Sequence, residues 1–164
     1  MMKAVVVYES HWGNTAAIAR AIADGIGPDT RVLTTDEASG PEIADVDLLV
    51  AGAPVLGFGL PSERMQEAVA ATVGEAPAAP DVSHPSLRSW LAALPPGRGR
   101  AAAFETRVRW SPGGATGAIE RGLERAGYRA VAESGKFIVK GRYGPLRDGE
   151  FERARRWGTE LRQG

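Results

Sequence analysis

The chain has no cysteine among its 164 residues. That absence excludes disulfides, thiolate nucleophiles, iron–sulfur clusters and zinc–thiolate sites. Histidine is nearly absent too. His11 and His84 lie far apart and form no H-x-x-x-H pair, so no histidine-based metal site is expected. No apolar run approaches the ~20 residues needed to cross a bilayer. The opening MMKAVVVYESHW has one lysine and too short an apolar stretch for a secretory signal. A soluble, cytoplasmic chain without stable membrane insertion is expected. FERARRWGTELRQ comes nearest to a membrane-surface helix but lacks the bulky apolar face. No basic stretch interleaved with aromatics stands out, so no nucleic-acid partner is expected.

What is present is ordinary globular composition, 43% hydrophobic and 24% charged. The length suits one domain, residues 1–164, with a sizeable core. Net charge is zero, yet residues 1–97 carry 5 Lys+Arg against 12 Asp+Glu, and residues 98–164 carry 15 against 8. Such a division either steers an anionic ligand or partner, or reflects solvated helix faces that differ.

Strand and helix patterns alternate along the chain. Ala4–Tyr8, AVVVY, is a continuous β-branched run of the kind buried on both faces of a sheet. Ile18, Ile22 and Ile26 then make one apolar stripe on a helix that Gly25, Gly27 and Pro28 should end. Thr30–Thr34 and Asp47–Gly52 read as the second and third strands. Ser62 should cap a helix with Met65, Val69 and Val73 on one side, and Ser86 a short helix that stops at Pro95. Between them, residues 74–85 read as a surface loop. Arg100–Thr106 is a fourth strand, weakly marked because alanine is a poor strand former. Ser111 and Pro112 read as cap and first residue of a helix carrying Ile119, Leu123 and Ala126, with the Gly113, Gly114 and Gly117 run as permissive packing. Lys136–Lys140 is a fifth strand, and Asp148 should cap a last helix carrying Phe151, Ala154, Trp157 and Leu161. Five alternating βα units predict an α/β protein, a parallel sheet between two helical layers.

Ligands of such sheets bind outside the carboxyl ends of the strands, which directs attention to residues 9–14, 53–61 and 105–111. The first loop crowds Ser10, Gly13, Asn14 and Thr15 into the strand-to-helix turn. Glycine permits close backbone approach, the hydroxyls and amide offer hydrogen bonds, and the helix N-terminus adds partial positive charge. A phosphate monoester suits that set. A plain capped turn is the alternative, although one cap residue would be enough for it. There is no G-x-G-x-x-G after the first strand and no G-x-x-x-x-G-K-[ST], so dinucleotide and nucleoside-triphosphate loops are excluded.

The stretch YESHWGNTAAIARAIADGI resembles the opening of the flavodoxin-like family, whose phosphate loop has the form [S/T]-x-x-G-[N/H]-T, matched here by Ser10, Gly13, Asn14 and Thr15. GAPVLGFGLP resembles the family's second flavin loop. The resemblance covers essentially the whole chain, with residues 74–97 as an enlarged connection. It implies a three-layer, doubly wound sandwich with a five-stranded parallel sheet in the order 2-1-3-4-5, and noncovalent FMN. The phosphate would lie on Ser10, His11, Trp12, Gly13, Asn14 and Thr15. The isoalloxazine would lie between Pro54, Val55, Leu56 and Gly57 on one side and Glu105, Thr106 and Arg107 on the other. Phe58 and Trp110 are the candidates for stacking on it.

The chain departs from the family at three points. Trp12 stands where a third hydroxyl is common, the third loop, FETRVRW, carries Arg107 and Arg109, and the whole is neutral where low-potential carriers are acidic. A cation beside the ring would raise the flavin potential or bind an acidic substrate. The implied function is FMN-based electron transfer, with a redox partner protein or a small-molecule electron acceptor. An FMN-dependent quinone or protoporphyrinogen-type reductase is one alternative, and a flavin-free interaction module on the same fold is another. No catalytic residue is assigned: no Ser/His/Asp set or carboxylate pair emerges, and Glu9, the one candidate base, has no partner in sequence. His11 either donates to the phosphate or is solvated, His84 should be exposed in its loop, and Trp90 and Trp157 should be core residues.

Overall fold

The computed structural model describes residues 2–71 and 79–164. Val73 and residues 74–78 of the expected 74–85 loop therefore lie outside the described residues. The chain runs β1 (Ala4–Tyr8), α1 (Asn14–Ile26), β2 (Arg31–Thr34), α2 (Gly40–Ile43), β3 (Leu48–Pro54), α3 (Glu63–Ala70), α4 (Leu87–Ala92), β4 (Arg100–Val108), α5 (Thr116–Arg125), β5 (Arg129–Ala130), β6 (Gly135–Val139) and α6 (Glu150–Gln163). The strands pair in parallel in the order β2-β1-β3-β4-β5, the expected doubly wound α/β sheet.

The fifth position of the sheet is shared by two strands. β5 pairs with the start of β4 at Arg100 and Ala101, and β6 with its end from Phe104 to Val108. Only the second was expected. The reason is length: β5 has two exposed residues, too few for a periodic signal.

Alternate residues of each strand face opposite cores. Val5 and Val7 of β1 join Leu49, Ala51, Leu87, Trp90, Ile119 and Leu123 on the side of α4 and α5. Ala4 and Val6 join Ile18, Ile22, Ile26, Phe104, Phe137 and Leu161 on the side of α1 and α6. Two dry faces explain why β1 and β3 are apolar throughout.

Several expected element ends move, each for a tertiary reason. α1 continues through Gly25 to Ile26, because a Cβ at Gly25 would stand 1.9 Å from the Arg155 carbonyl of α6. Glycine there serves a helix crossing, and Gly27 is the cap. Ser111 and Pro112 do not start α5. It begins at Thr116, where the buried Glu105 carboxylate accepts from the Ala115 and Thr116 N–H groups at 2.8 and 3.1 Å. Gly113 and Gly114 belong to the loop before it: a Cβ at Gly113 would meet the Phe58 carbonyl at 2.0 Å. Asp148 does not cap α6. Gly149 takes that position in the left-handed region, while the exposed Asp148 lies 3.8 Å from Lys140. Phe151 is largely exposed, so α6 packs through Ala154, Leu161 and the edge of Trp157. Ser62 and Ser86 do cap, accepting from the Met65 and Ser89 N–H groups.

Candidate functional site

At the carboxyl edge of the sheet lies a cleft of about 230 Å³ lined by residues 10–12, 14–15, 54–57, 106–108, 111, 139 and 142. A larger recess, about 840 Å³, sits at the amino edge around Asp45, Asp47, Arg98 and Tyr128, away from the loops that end the strands. The carboxyl-edge cleft is the one the parallel sheet designates.

One end of it is the turn from β1 into α1. Gly13 sits at φ 92°, the left-handed region, and its N–H donates to Ser10 Oγ at 3.2 Å. α1 has no side-chain cap and no acidic residue in its first turn, so its N-terminal field is left for an external anion. Thr15 Oγ1 and Thr106 Oγ1 share a hydrogen bond at 2.8 Å and tie this turn to β4. Asn14 Nδ2 donates to the Tyr143 carbonyl at 3.2 Å and ties it to the loop after β6.

Among the described residues, two buried side-chain polar atoms have no hydrogen-bond partner: His11 Nδ1 and Trp12 Nε1. Both belong to this turn. Leaving such a group unmatched costs about 1–3 kcal/mol, which a ligand with acceptor oxygens would recover. Trp12, standing in place of a hydroxyl, thus supplies an indole donor of its own. Its ring packs edge-on against Tyr143, with centroids 4.7 Å apart.

Beneath the turn, Glu9 and His84 are not where isolated sequence positions suggested. His84 is only 4% exposed, against the expectation of a solvated loop residue. Its Nε2 receives the Ser10 N–H at 3.4 Å. Glu9 is wholly buried and accepts from His11 Nε2 at 2.9 Å, Gln66 Nε2 at 3.1 Å and the Leu87 N–H at 2.8 Å. His11 is therefore buried and paired, not solvated. Asp81, whose N–H donates to the His11 carbonyl, has its carboxyl held below the usual range, chiefly by the Ser83 hydroxyl.

The far walls come from the other two loops. Leu56 and Gly59 exchange backbone hydrogen bonds around Gly57 and Phe58, which have φ 53° and 74°. Two consecutive positive φ values define a type I′ turn, in which a phenylalanine is strained. Phe58 is 69% exposed at the tip. Gly114 N–H donates to its carbonyl at 3.1 Å, so the second and third loops touch. Arg107 is pinned to the wall by Glu105 Oε2 at 2.8 Å, the Gly113 carbonyl at 2.8 Å and the Ser111 carbonyl. Its charge is thereby largely balanced, where an uncompensated cation was expected.

Eleven of the fourteen expected binding residues line the cleft. Gly13 shapes the turn without lining it, Glu105 lies underneath as an anchor, and Trp110 is excluded, its ring 83% exposed. Trp110 lies in the turn after β4 that the Ser111 N–H closes onto the Val108 carbonyl at 3.0 Å. Val108, Ser111, Val139 and Arg142 line the cleft unannounced. The run Arg142-Tyr143-Gly144 after the last strand was a usable signal, since every strand of a parallel sheet ends at this edge.

The flavodoxin family model matches residues 6–94, just over half of the chain and both of the first two loops. The chain belongs to the flavodoxin family. Solved structures agree on the fold. A flavodoxin from the domain Archaea aligns with TM-score 0.68 at 22% identity, covering 99% of this chain and 97% of that one. Flavodoxin 2 from Bacillus cereus aligns at 0.69 and 15% identity, covering 98% of each. The flavodiiron protein from Giardia intestinalis aligns at 0.62 and 21% identity, covering 98% of this chain but 35% of its own. No curated protein matches the sequence.

Flavodoxins are FMN-binding redox proteins, and FMN is accordingly the cofactor of this chain and electron transfer its broad role. The residues present fit the group: two unmatched buried nitrogens and an uncapped helix N-terminus at one end, and loop backbone and aliphatic walls at the other. No helix among the described residues is long and apolar enough to cross a membrane.

Proposed function

We propose that the chain is a single flavodoxin-like domain that works in the cytoplasm as an FMN-based electron carrier, with the cofactor phosphate in the turn Ser10–Thr15 and the ring between Pro54–Gly57 and Thr106–Arg107. The observation that carries this reading is the pair of buried, unpartnered nitrogens, His11 Nδ1 and Trp12 Nε1, beside the uncapped start of α1. Buried polar atoms without partners are uncommon in a stable protein, and a phosphate offers oxygens to the indole N–H directly and to the His11 ring once its Nδ1 carries a hydrogen.

Bound FMN supplies the redox chemistry by taking up and releasing electrons. The chain holds it in place. Hydroxyls of Ser10, Thr15 and Thr106 and the α1 amides would hold the phosphate, Pro54, Val55 and Leu56 would shield one side of the ring, and Thr106 and Val108 would form the opposite wall. The turn at Gly57 and Phe58 brings peptide groups to the cleft without a bulky side chain at position 57. A redox partner protein or a small-molecule electron acceptor would meet the ring at the open mouth.

An FMN-dependent reductase of the quinone or protoporphyrinogen type is the second reading. Arg142 on the cleft wall supports it, since it would attract an anionic small substrate. A visible absorption spectrum followed by titration of the apoprotein with FMN tests the common core. Uptake of one tightly bound flavin supports both readings, and a colourless protein that ignores FMN overturns them in favour of a flavin-free module. Turnover with a reduced nicotinamide and a quinone then separates reductase from carrier.

A further inference from the structure

Glu9 and His11 constrain one another more tightly than phosphate binding alone requires. All three contacts to the buried Glu9 come from hydrogen-bond donors, His11 Nε2, Gln66 Nε2 and the Leu87 N–H. A carboxylate satisfies all of them. The Glu9 oxygen can only accept from His11, so the ring hydrogen resides on Nε2. In the neutral ring Nδ1 is then a bare lone pair. That atom is the one buried and unpartnered. A phosphate dianion offers only acceptors, and two acceptors repel. Contact between them requires a hydrogen on Nδ1.

We propose that Glu9 positions His11 so that the ring takes a proton from solvent at Nδ1 as a phosphate monoester enters the Ser10–Thr15 turn, which selects phosphorylated over unphosphorylated flavin. The inference rests on the placement of the FMN phosphate argued above. Charge balances well: the Glu9 carboxylate and the phosphate dianion flank one imidazolium. No covalent bond is made or broken, and the proton is released again with the ligand.

The other charged groups around the ring have compatible states. From the segment before α4, Asp81 donates its N–H to the His11 carbonyl, and its carboxylate lies 3.7 Å from His84 Nδ1. His84 accepts the Ser10 N–H at Nε2, which leaves Nδ1 as the nitrogen turned toward Asp81. On the open side of the cleft Arg107 and Arg142 oppose a charged His11, with Arg107 balanced by Glu105. From the loop after β6, Tyr143 presents its ring to Trp12, which stands edge-on to His11. Proton uptake belongs to the binding step.

The sign follows. Above about pH 6.5, where the phosphate is already a dianion, FMN should bind more tightly as pH falls, by up to about tenfold per unit. Riboflavin binding should not depend on pH in this range.

Calorimetric titration of the apoprotein with FMN at about pH 8, in two buffers of different ionisation enthalpy, reads the proton count. The expected result is about one proton taken up per FMN, falling to near zero in His11→Gln. Nitrogen-15 NMR of the wild-type His11 ring reads the same event with no variant: hydrogen on Nε2 alone in the apoprotein, on both nitrogens with FMN or inorganic phosphate bound. FMN bound with no proton uptake and a neutral ring overturns this inference and leaves the placement of FMN standing. Undiminished uptake in His11→Gln likewise overturns it. Failure to bind FMN at all overturns the placement first.

Discussion

Thr15 and Thr106 meet hydroxyl to hydroxyl at 2.8 Å across the floor of the cleft, both nearly fully buried. Each hydroxyl can donate once and accept twice, so after serving its neighbour the pair still has one free hydrogen for a ligand oxygen. Thr15→Val keeps the shape and removes one hydroxyl. FMN affinity is expected to fall about tenfold, the effect of one hydrogen bond near 1–1.5 kcal/mol, as read by fluorescence quenching on titration. Unchanged affinity would place the phosphate away from this pair. Trp12 works at the same scale by a different route. Its indole nitrogen is one of the two unpartnered buried polar atoms, so an apparent loss of a hydroxyl becomes a donor of different reach.

Between elements, two devices hold the frame that carries the loops. The α1–α6 crossing is close because glycines face backbone: a Cβ at Gly158 would stand 2.2 Å from the Ile22 carbonyl. Gly158→Ala must push the helices apart, with an expected loss of about 2–3 kcal/mol in denaturant unfolding. Since α1 carries the phosphate turn at its start, weaker FMN binding should accompany it. The second device is Glu150 at the start of α6, which accepts from the Ile138 N–H of β6 and from Arg147 and Arg153. Burial pushes its carboxyl upward, but the hydrogen bonds from Arg153, Ile138 and Arg147 outweigh it and bring it to about 2. A depressed carboxyl stabilises the fold above its unfolded value near 4.3 and loses that contribution as pH falls toward 2. Unfolding between pH 6 and 2.5 should show about 2 kcal/mol of acid destabilisation assignable to this group. Glu150→Gln should flatten that part of the profile; an unchanged acid limb would locate the loss elsewhere.

For the whole molecule, the cofactor and the fold are linked by mass action. FMN in hundredfold excess over its dissociation constant should add about 2.7 kcal/mol, which for a chain of this size raises Tm by roughly 5–10 °C. Riboflavin, lacking the phosphate, should raise it less. Differential scanning measurements with the two flavins check this, and equal shifts would argue that the phosphate turn contributes nothing. The acidic first half and basic second half of the sequence also gain a location. β4, β6 and the loops after them bring Arg107 and Arg142 to the cleft, while Glu105 underneath balances the first of them.

The sequence by itself determined the parallel sheet, its two dry faces and the strand-to-helix turn at Ser10–Thr15, because those signals are local; the loops Pro54–Gly57 and Glu105–Arg107 were named through the family resemblance. An apolar strand followed by small polar residues and an amphipathic helix specifies its own turn within about twenty residues. The tertiary structure decided whatever depends on partners distant along the chain. Glu105, not Ser111, organises the start of α5; His84 and Leu87 converge on Glu9 and the Ser10 amide from more than seventy residues away. Arg142 joins the cleft because β6 ends beside β4. Trp110 is exposed at the tip of the turn that the Ser111 N–H closes onto the Val108 carbonyl. A buried carboxylate accepts whichever donors the fold brings to it, and no spacing along the chain records which those are.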